Sequence, residues 1–197
     1  MSRDVVAAAY DALARCDDTV VAPCCAPTSA RGIVGRDESE RRFVGDADLG
    51  VSCGNPVRCA ALSVGERVLD LGCGAGVDCL LAAREVGPSG WVIGADGSAE
   101  MVARARRRAD EVAASAEGAN VGKVEFRLGE LERVPVASSS VDVVLSNCAI
   151  NLCEDKKRVF AEAFRTLRPG GRMCVSDVLR REAELPERLK TNEALAC

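Results

Sequence analysis

The segment VLDLGCGAG, residues 68–76, decides the fold of this chain. It begins as a short apolar strand at 67–71, turns at three closely spaced glycines and leads into a helix predicted over 78–86. Because glycine has no Cβ, such a turn lets the backbone approach a ligand closely. The segment therefore predicts a strand, a binding loop and a helix in immediate succession.

Strands and helices continue to alternate after this loop. The pattern predicts further strands at 91–95, 124–128, 141–147 and 172–179, and helices at 98–117 and 156–167, with Ser98 as a helix N-cap. Such alternation is typical of right-handed βαβ units and a parallel sheet. The predicted fold class is α/β, a Rossmann-like sheet of five parallel strands with flanking helices.

Asp96 supports the prediction of a cofactor loop. It ends the second predicted strand, 20 residues beyond Gly76, where a carboxylate can accept hydrogen bonds from both hydroxyls of a ribose. The glycines follow the spacing G-x-G-x-G and lack the G-x-G-x-x-G pattern of dinucleotide sites. Asp70, just before them, suits a cationic amino-acid group and would repel a pyrophosphate. The loop therefore favours S-adenosylmethionine over NAD.

Composition narrows the class of protein. The chain has 197 residues, 48% of them apolar, and a formal net charge of −4, which suits one domain with an aliphatic core. A basic run at Arg104 and 106–108 is followed at once by acids, so we expect a solvated helix face and no nucleic-acid partner. Apolar stretches are short, and acids interrupt the N-terminal one, so we expect no membrane partner and a cytoplasmic protein.

Cysteine and histidine usage is unusual. The chain has 11 cysteines and no histidine. In a cytoplasmic protein this many cysteines suggest metal, metalloid or redox chemistry, although any one of them can be a plain core residue. The absence of histidine removes the usual general base and the commonest metal ligand. We therefore expect a reaction that needs neither.

The glycine-loop segment resembles the first motif of the class I methyltransferases. The resemblance implies a set of residues around the methionine and ribose ends of S-adenosylmethionine: Asp70, Gly72, Gly74, Gly76 and Asp96. It places Gly129 and Glu130 on the adenine side, and Met101 either beside the adenine or simply in the core. Asn147, which ends the fourth predicted strand, completes the predicted cofactor-binding set.

Two further segments are similar to the arsenite methyltransferase family. They are CGNP at 53–56 and SNCAINL at 146–152, and the likeness extends over residues 50–180. It implies that Cys53 and Cys148 bind trivalent arsenic, with Cys197 as the best match to a third family cysteine. Arsenite or its thiol conjugates would then be the small-molecule substrate, and thioredoxin or glutathione the thiol reductant.

The chemistry of arsenic fits these residue types. Trivalent arsenic is a soft centre that prefers thiolates, and three of them leave its lone pair pointing outward. That lone pair can attack a sulfonium methyl group, and because no proton leaves the attacking atom, no histidine base is needed.

Several alternatives stay open at this point. Domain boundaries are predicted at 1–55, an N-terminal helix and an irregular cysteine-containing segment, at 56–180, the cofactor domain, and at 181–197, the start of a truncated arsenic-binding region. Class I methyltransferases usually have seven strands, so the final edge strands are missing and the fifth would be an exposed apolar edge. The chain could instead methylate another small molecule, or bind metalloids through its thiols without catalysis. The vicinal pair Cys24-Cys25 could bind a metalloid, relay a disulfide or simply be exposed.

Overall fold

A computed structural model describes residues 3–15 and 36–178 of the chain. Its strands are β1 Arg67–Leu71, β2 Trp91–Asp96, β3 Lys123–Leu128, β4 Val141–Asn147 and β5 Leu167–Ser176. Its α-helices are α1 Arg3–Arg15, α2 Glu38–Val44, α3 Pro56–Ala60, α4 Val77–Val86, α5 Ala99–Ala114 and α6 Lys156–Thr166. Four single 3₁₀ turns lie at Gly45–Ala47, Gly118–Asn120, Leu131–Arg133 and Ile150–Leu152.

The five strands form one parallel sheet in the order β3-β2-β1-β4-β5. The chain order reverses between β1 and β4, and a crevice opens at such a switch point beyond the carboxyl ends of the strands. The predicted α/β class and the parallel sheet are therefore confirmed.

Side chains on neighbouring positions of β1 show why these residues form a central strand. Val68 packs into a core cluster with α4 and α5, while Leu69 packs into a second cluster on the other face, which includes Val159 of α6. All three side chains are completely buried. Parallel strands that helices cover on both faces are apolar at most positions, which explains why their sequences show nearly continuous apolar runs.

The predicted strands and helices are all present, but β5 ends at Ser176 and α5 at Ala114, each three residues before the predicted end, and helix α3 was not predicted. β5 begins at Leu167, five residues earlier than predicted, because Leu167 pairs with Val141 and the strand continues through an irregularity after that pair. The segment predicted to be irregular contains helix α2. Asp37 and Glu40 cap this helix reciprocally, an arrangement that satisfies two backbone N–H groups at its start.

The prediction of a solvated basic face on α5 is wrong for two of its arginines. Arg104 is 6% exposed, and its guanidinium donates to the carbonyl of Ala14 in α1 and to that of Asp46. Arg108 donates to the carbonyls of Phe43 and Val44 at the end of α2. These arginines satisfy carbonyls at helix ends, which otherwise lack partners, and so join both N-terminal helices to α5.

No helix within the two described ranges is both long and apolar enough to cross a membrane.

Candidate cofactor and thiol site

A cavity of about 390 Å³ lies at the carboxyl ends of β1, β2 and β4. This volume is within the range of about 300–1,000 Å³ that small-molecule sites usually have. Residues after β2 and residues after β4 both line the cavity, on opposite sides of the glycine loop after β1, because β1 lies between these two strands in the sheet. Val6 and Tyr10 of α1 also line it.

The glycine loop has a backbone that only glycine adopts without strain. Gly72, Gly74 and Gly76 all have positive φ, at 74°, 50° and 92°. A Cβ on Gly72 would collide with the Cβ of Ala149, whereas a Cβ on Gly74 would meet no protein atom within 4 Å. Gly72 and Gly74 line the cavity, so the loop presents bare backbone to whatever occupies it.

Asp96 lies at the end of β2 and lines the cavity. Its Oδ2 accepts a hydrogen bond from the Gly74 N–H at 2.8 Å, and its Oδ1 accepts one from the Ser98 N–H, also at 2.8 Å. Burial raises the pKa of this carboxyl, and these backbone hydrogen bonds act in the opposite direction. The carboxylate is therefore held in place at the cavity by backbone N–H groups.

Asp70 does not line the cavity, contrary to the role that the resemblance implies. It is 2% exposed and lies beneath the loop, where its Oδ2 accepts from the thiol of Cys79 at 3.2 Å. Burial, and then the nearby charge of Asp78, raise the pKa of Asp70 to about 8. Its Oδ1 has no hydrogen-bond partner among the described residues. Asp70 therefore contacts α4 through Cys79 and does not face the cavity in this structure.

The remaining cofactor-binding predictions divide between cavity and core. Met101 and Glu130 line the cavity, although Met101 is only 1% exposed. Gly76 packs against Phe126 and Ala105, and Gly129 against Pro135, so neither faces the cavity. Gly76 still matters for the loop, because its left-handed conformation starts α4.

Cys53 and Cys148, the two predicted arsenic ligands, come together in the structure. They are 95 residues apart in sequence, their Cα atoms are 5.6 Å apart, and their sulfurs are joined as a disulfide. Cys148 lines the cavity directly after β4 and has a φ of 56°. Its N–H donates to the carbonyl of Ser176 at 2.8 Å. The third predicted ligand, Cys197, lies outside the described residues, as do Cys24 and Cys25.

Asn147 also lines the cavity, but both N–H donors of its side-chain amide are bound to protein acceptors. Its Oδ1 accepts from the Cys53 N–H at 3.0 Å, and its Nδ2 donates to the Gly54 carbonyl at 2.9 Å and to Asp78 Oδ2 at 2.8 Å. Sequence reasoning did not anticipate these contacts, nor the ion pair between Asp78 and Arg36.

Cys59, Cys73, Cys79 and Cys174 form no disulfide. Cys73 and Cys79 are buried beside the loop, as expected for core residues. The hydrogen bond with Cys79 lowers the pKa of Cys73, but burial and nearby carboxylates raise it more, to about 11. Cys153 lines the cavity beside Cys148. Within the described ranges, no three Cys, Asp or Glu side chains converge in a way that could hold a metal ion.

Together, the parallel sheet with its switch point, the glycine loop and the carboxylate after β2 define the Rossmann-like class of methyltransferase folds. The chain belongs to the methyltransferase-domain family, which matches residues 62–197.

Individual relatives extend this likeness. The arsenite methyltransferase of Halobacterium salinarum is 52% identical over 160 residues, which cover 79% of this chain and 39% of that protein. The crystal structure of an arsenic(III) S-adenosylmethionine methyltransferase from Chlamydomonas reinhardtii is 36% identical with a TM-score of 0.60, and the match covers 83% of this chain and 53% of that one. The [4+2]-cyclase SpnF is 25% identical with a TM-score of 0.65, over 90% of this chain and 61% of its own. The chain therefore spans about half or less of the length of the arsenic methyltransferases it matches.

Proposed function

We propose that this chain transfers a methyl group from S-adenosylmethionine to trivalent arsenic held by thiolates. The observation that carries the proposal is that Cys148, paired with Cys53, lines the same cavity as Asp96, on the other side of the glycine loop that follows β1. Fold alone would not suffice, because similar folds carry out different reactions, as the likeness to a cyclase illustrates.

The cavity fits S-adenosylmethionine. Gly74 lines the cavity and a Cβ there would enter open space, so its bare backbone leaves room for a ligand, and Asp96 offers two acceptor oxygens for ribose hydroxyls. Glu130 and Met101 would lie on the adenine side. When bound, S-adenosylmethionine supplies an activated methyl group on a sulfonium centre.

The thiol end would hold the substrate. Reduction of the Cys53–Cys148 disulfide gives two thiols. Each replaces one hydroxide ligand of arsenite as a thiolate, and the thiol proton leaves with that hydroxide as water. Cys197 is our proposed third ligand. The arsenic lone pair forms the new As–C bond, and the electron pair of the broken C–S bond stays on the departing sulfur, which becomes a neutral thioether. The residues orient the two partners for this in-line transfer and exclude water from it.

The reaction implies a reducing partner. Donation of its lone pair raises arsenic formally to the pentavalent state, so two electrons from thiols are needed before the next transfer. We propose thioredoxin or glutathione as the reductant and the cytoplasm as the compartment, because both keep cysteine pairs reduced there.

The test is a turnover assay of the reduced protein with arsenite and S-adenosylmethionine, with products speciated by mass spectrometry. We expect methylated arsenic from the parent chain, and none from Cys148→Ser, which should still bind S-adenosylmethionine. Cys59→Ser is the matched control, since that thiol is exposed and does not line the cavity.

Methylation at the parent rate by the Cys148→Ser variant would contradict the proposed thiolate mechanism. Binding of both ligands by the parent chain without any methylated product would show a metalloid-binding domain that lacks catalysis. Methylation of other acceptors, unaffected by blocking of the thiols, would show a different small-molecule substrate.

A further inference from the structure

Asn147 occupies an unusual position between the two cysteines. Its main chain leads directly into Cys148, and its side chain reaches across to the backbone of Cys53 and Gly54. One residue therefore contacts both halves of a pair that is separated by 95 positions in the chain.

The donors of the Asn147 amide are fully used. An asparagine amide has two N–H donors and one acceptor oxygen with two lone pairs. Both donors are occupied, one by the Gly54 carbonyl at 2.9 Å and the other by Asp78 Oδ2 at 2.8 Å. The oxygen accepts from the Cys53 N–H at 3.0 Å. The side chain therefore has no donor left for a cofactor, although it lines the cavity.

A buried ion pair fixes the other side of this amide. Asp78, in the first turn of α4, accepts from Asn147 on Oδ2 and from the Arg36 guanidinium on Oδ1 at 2.8 Å. The side chains of Arg36 and Asp78 are only 3% and 7% exposed. A buried carboxylate must keep its partners, because an uncompensated charge there is costly. The orientation of Asp78, and with it that of Asn147, is therefore strongly constrained.

We infer that Asn147 is a positioning residue that sets the spacing of the Cys53–Cys148 pair, and that Asp78 and Arg36 hold it in place. The cysteine on the β4 side is fixed by its own backbone, through the Cys148 N–H bond to Ser176. The cysteine on the other side lies in a segment without regular secondary structure, so its position depends on the Asn147 amide. The assignment of the pair as substrate ligands rests on the proposed function, but the spacing role does not.

Spacing matters because two thiols act together only when they are held close. Fixing them in advance removes the entropy cost of bringing them together, whether a second sulfur or an arsenic atom joins them. The quantity that reports this directly is the equilibrium between the protein dithiol plus oxidised glutathione and the protein disulfide plus two reduced glutathione molecules. It measures the effective concentration of one thiol at the other and contains no arsenic.

The experiment equilibrates the full chain in glutathione redox buffers and quantifies the Cys53–Cys148 disulfide by peptide mapping. Asn147→Ala should lower the effective concentration about tenfold, equivalent to the loss of one or two hydrogen bonds. Asn147→Asp should lower it further, since its carboxylate would face both Asp78 and the Gly54 carbonyl. The dissociation constant of S-adenosylmethionine should change by less than about threefold in both variants, because both donors of the Asn147 amide are already used within the protein.

Asn55→Ala is the matched control. It removes the N-cap of α3, two residues from Cys53, where Asn55 accepts from the Arg58 N–H, but it leaves the Asn147 contacts intact. The effective concentration should remain near the parent value in this variant. Asp78→Asn, which keeps the size of the side chain, provides a second test and should reproduce part of the Asn147→Ala effect.

An unchanged effective concentration in folded Asn147→Ala and Asp78→Asn would overturn the inference. So would a loss of S-adenosylmethionine affinity of about tenfold or more with the thiol equilibrium unaffected, since that result would make Asn147 a cofactor ligand. A parent chain that fails to methylate arsenite but shows the predicted shift in the thiol equilibrium would contradict only the proposed function.

Discussion

The two ends of the cavity are held by different kinds of contact. At the cofactor end, backbone N–H groups fix Asp96, and the loop presents its own backbone to the ligand. At the thiol end, a series of side chains from distant parts of the chain, Arg36, Asp78 and Asn147, fixes the position of Cys53. A site held by backbone tolerates most side-chain substitutions nearby, whereas a site held by side chains depends on each of them.

The largest effect is expected at Gly72. Gly72→Ala would strain a left-handed residue and drive its Cβ into Ala149, which follows Cys148, so it should lower the free energy of unfolding by about 3 kcal/mol or more. In Gly74→Ala the new Cβ would meet no protein atom within 4 Å, so the free energy of unfolding should fall by only about 1–2 kcal/mol. That Cβ would, however, enter the space proposed for the cofactor. Urea unfolding and calorimetric binding of S-adenosylmethionine would measure both. Equal stability losses in the two variants would refute the distinction.

Substitution of Asp96 should change cofactor binding and leave the cysteine pair unaffected. Asp96→Ala removes the acceptor for Gly74 and for the ribose, so the dissociation constant of S-adenosylmethionine should rise about 10- to 100-fold. The thiol equilibrium of Cys53 and Cys148 should stay within about threefold of the parent value. Asp96→Asn, which keeps one acceptor oxygen, should lie between the parent and the alanine variant. A matching change at the thiol end would show that the two ends are not independent.

The raised pKa of Asp70 leads us to expect that the stability of the protein depends on pH. Its pKa is raised from 3.8 to about 8, so between these values the folded state holds a proton that the unfolded state has lost. The free energy of unfolding should therefore fall as pH rises through this window. Asp70→Asn should flatten the profile and raise the melting temperature at pH 8 by a few degrees, measured by thermal unfolding in a pH series. Asp110→Asn, on the exposed side of α5, is the control for loss of a charge and should keep the parent slope.

The smallest effect is expected at Ser98. Its hydroxyl accepts from the Met101 N–H at the start of α5 and donates to Asp11 of α1. Ser98→Ala should lower the free energy of unfolding by about 1 kcal/mol, as lost N-caps usually do. Ser115→Ala, at the other end of α5, should cost less, because the Val112 carbonyl keeps its bond from the Ser115 N–H. Chemical denaturation of both variants measures the two losses. Equal losses of unfolding free energy would contradict the prediction.

The sheet and the cofactor end were predictable because their signals are local. Apolar runs, the glycine loop and the acid after β2 all lie within short segments, and the position of Ser98 as an N-cap follows from the residues beside it. Helix α2 could also have been found, because Asp37 and Glu40 form a capping-box pattern, and so could α3, where Asn55 precedes a proline at the first helical position.

The thiol end was predictable only in part. The resemblance brought Cys53 and Cys148 together, but nothing in the sequence links Arg36 to Asp78 or Asp78 to Asn147, because those contacts depend on the packed fold. The same applies to Asp70, whose place beneath the loop depends on how completely the surrounding residues exclude water. Periodicity likewise cannot tell a solvated arginine from one, such as Arg104, that donates to helix-end carbonyls.

The left-handed backbone at Cys148 has a consequence for protein engineering. A residue with a side chain at a φ of 56° costs about 1–2 kcal/mol that glycine would not. Under reducing conditions Cys148→Gly should therefore make the protein more resistant to heat while it removes a proposed arsenic ligand. A selection for thermostability alone would discard this cysteine, so any such programme on this chain should include a second screen for thiol chemistry.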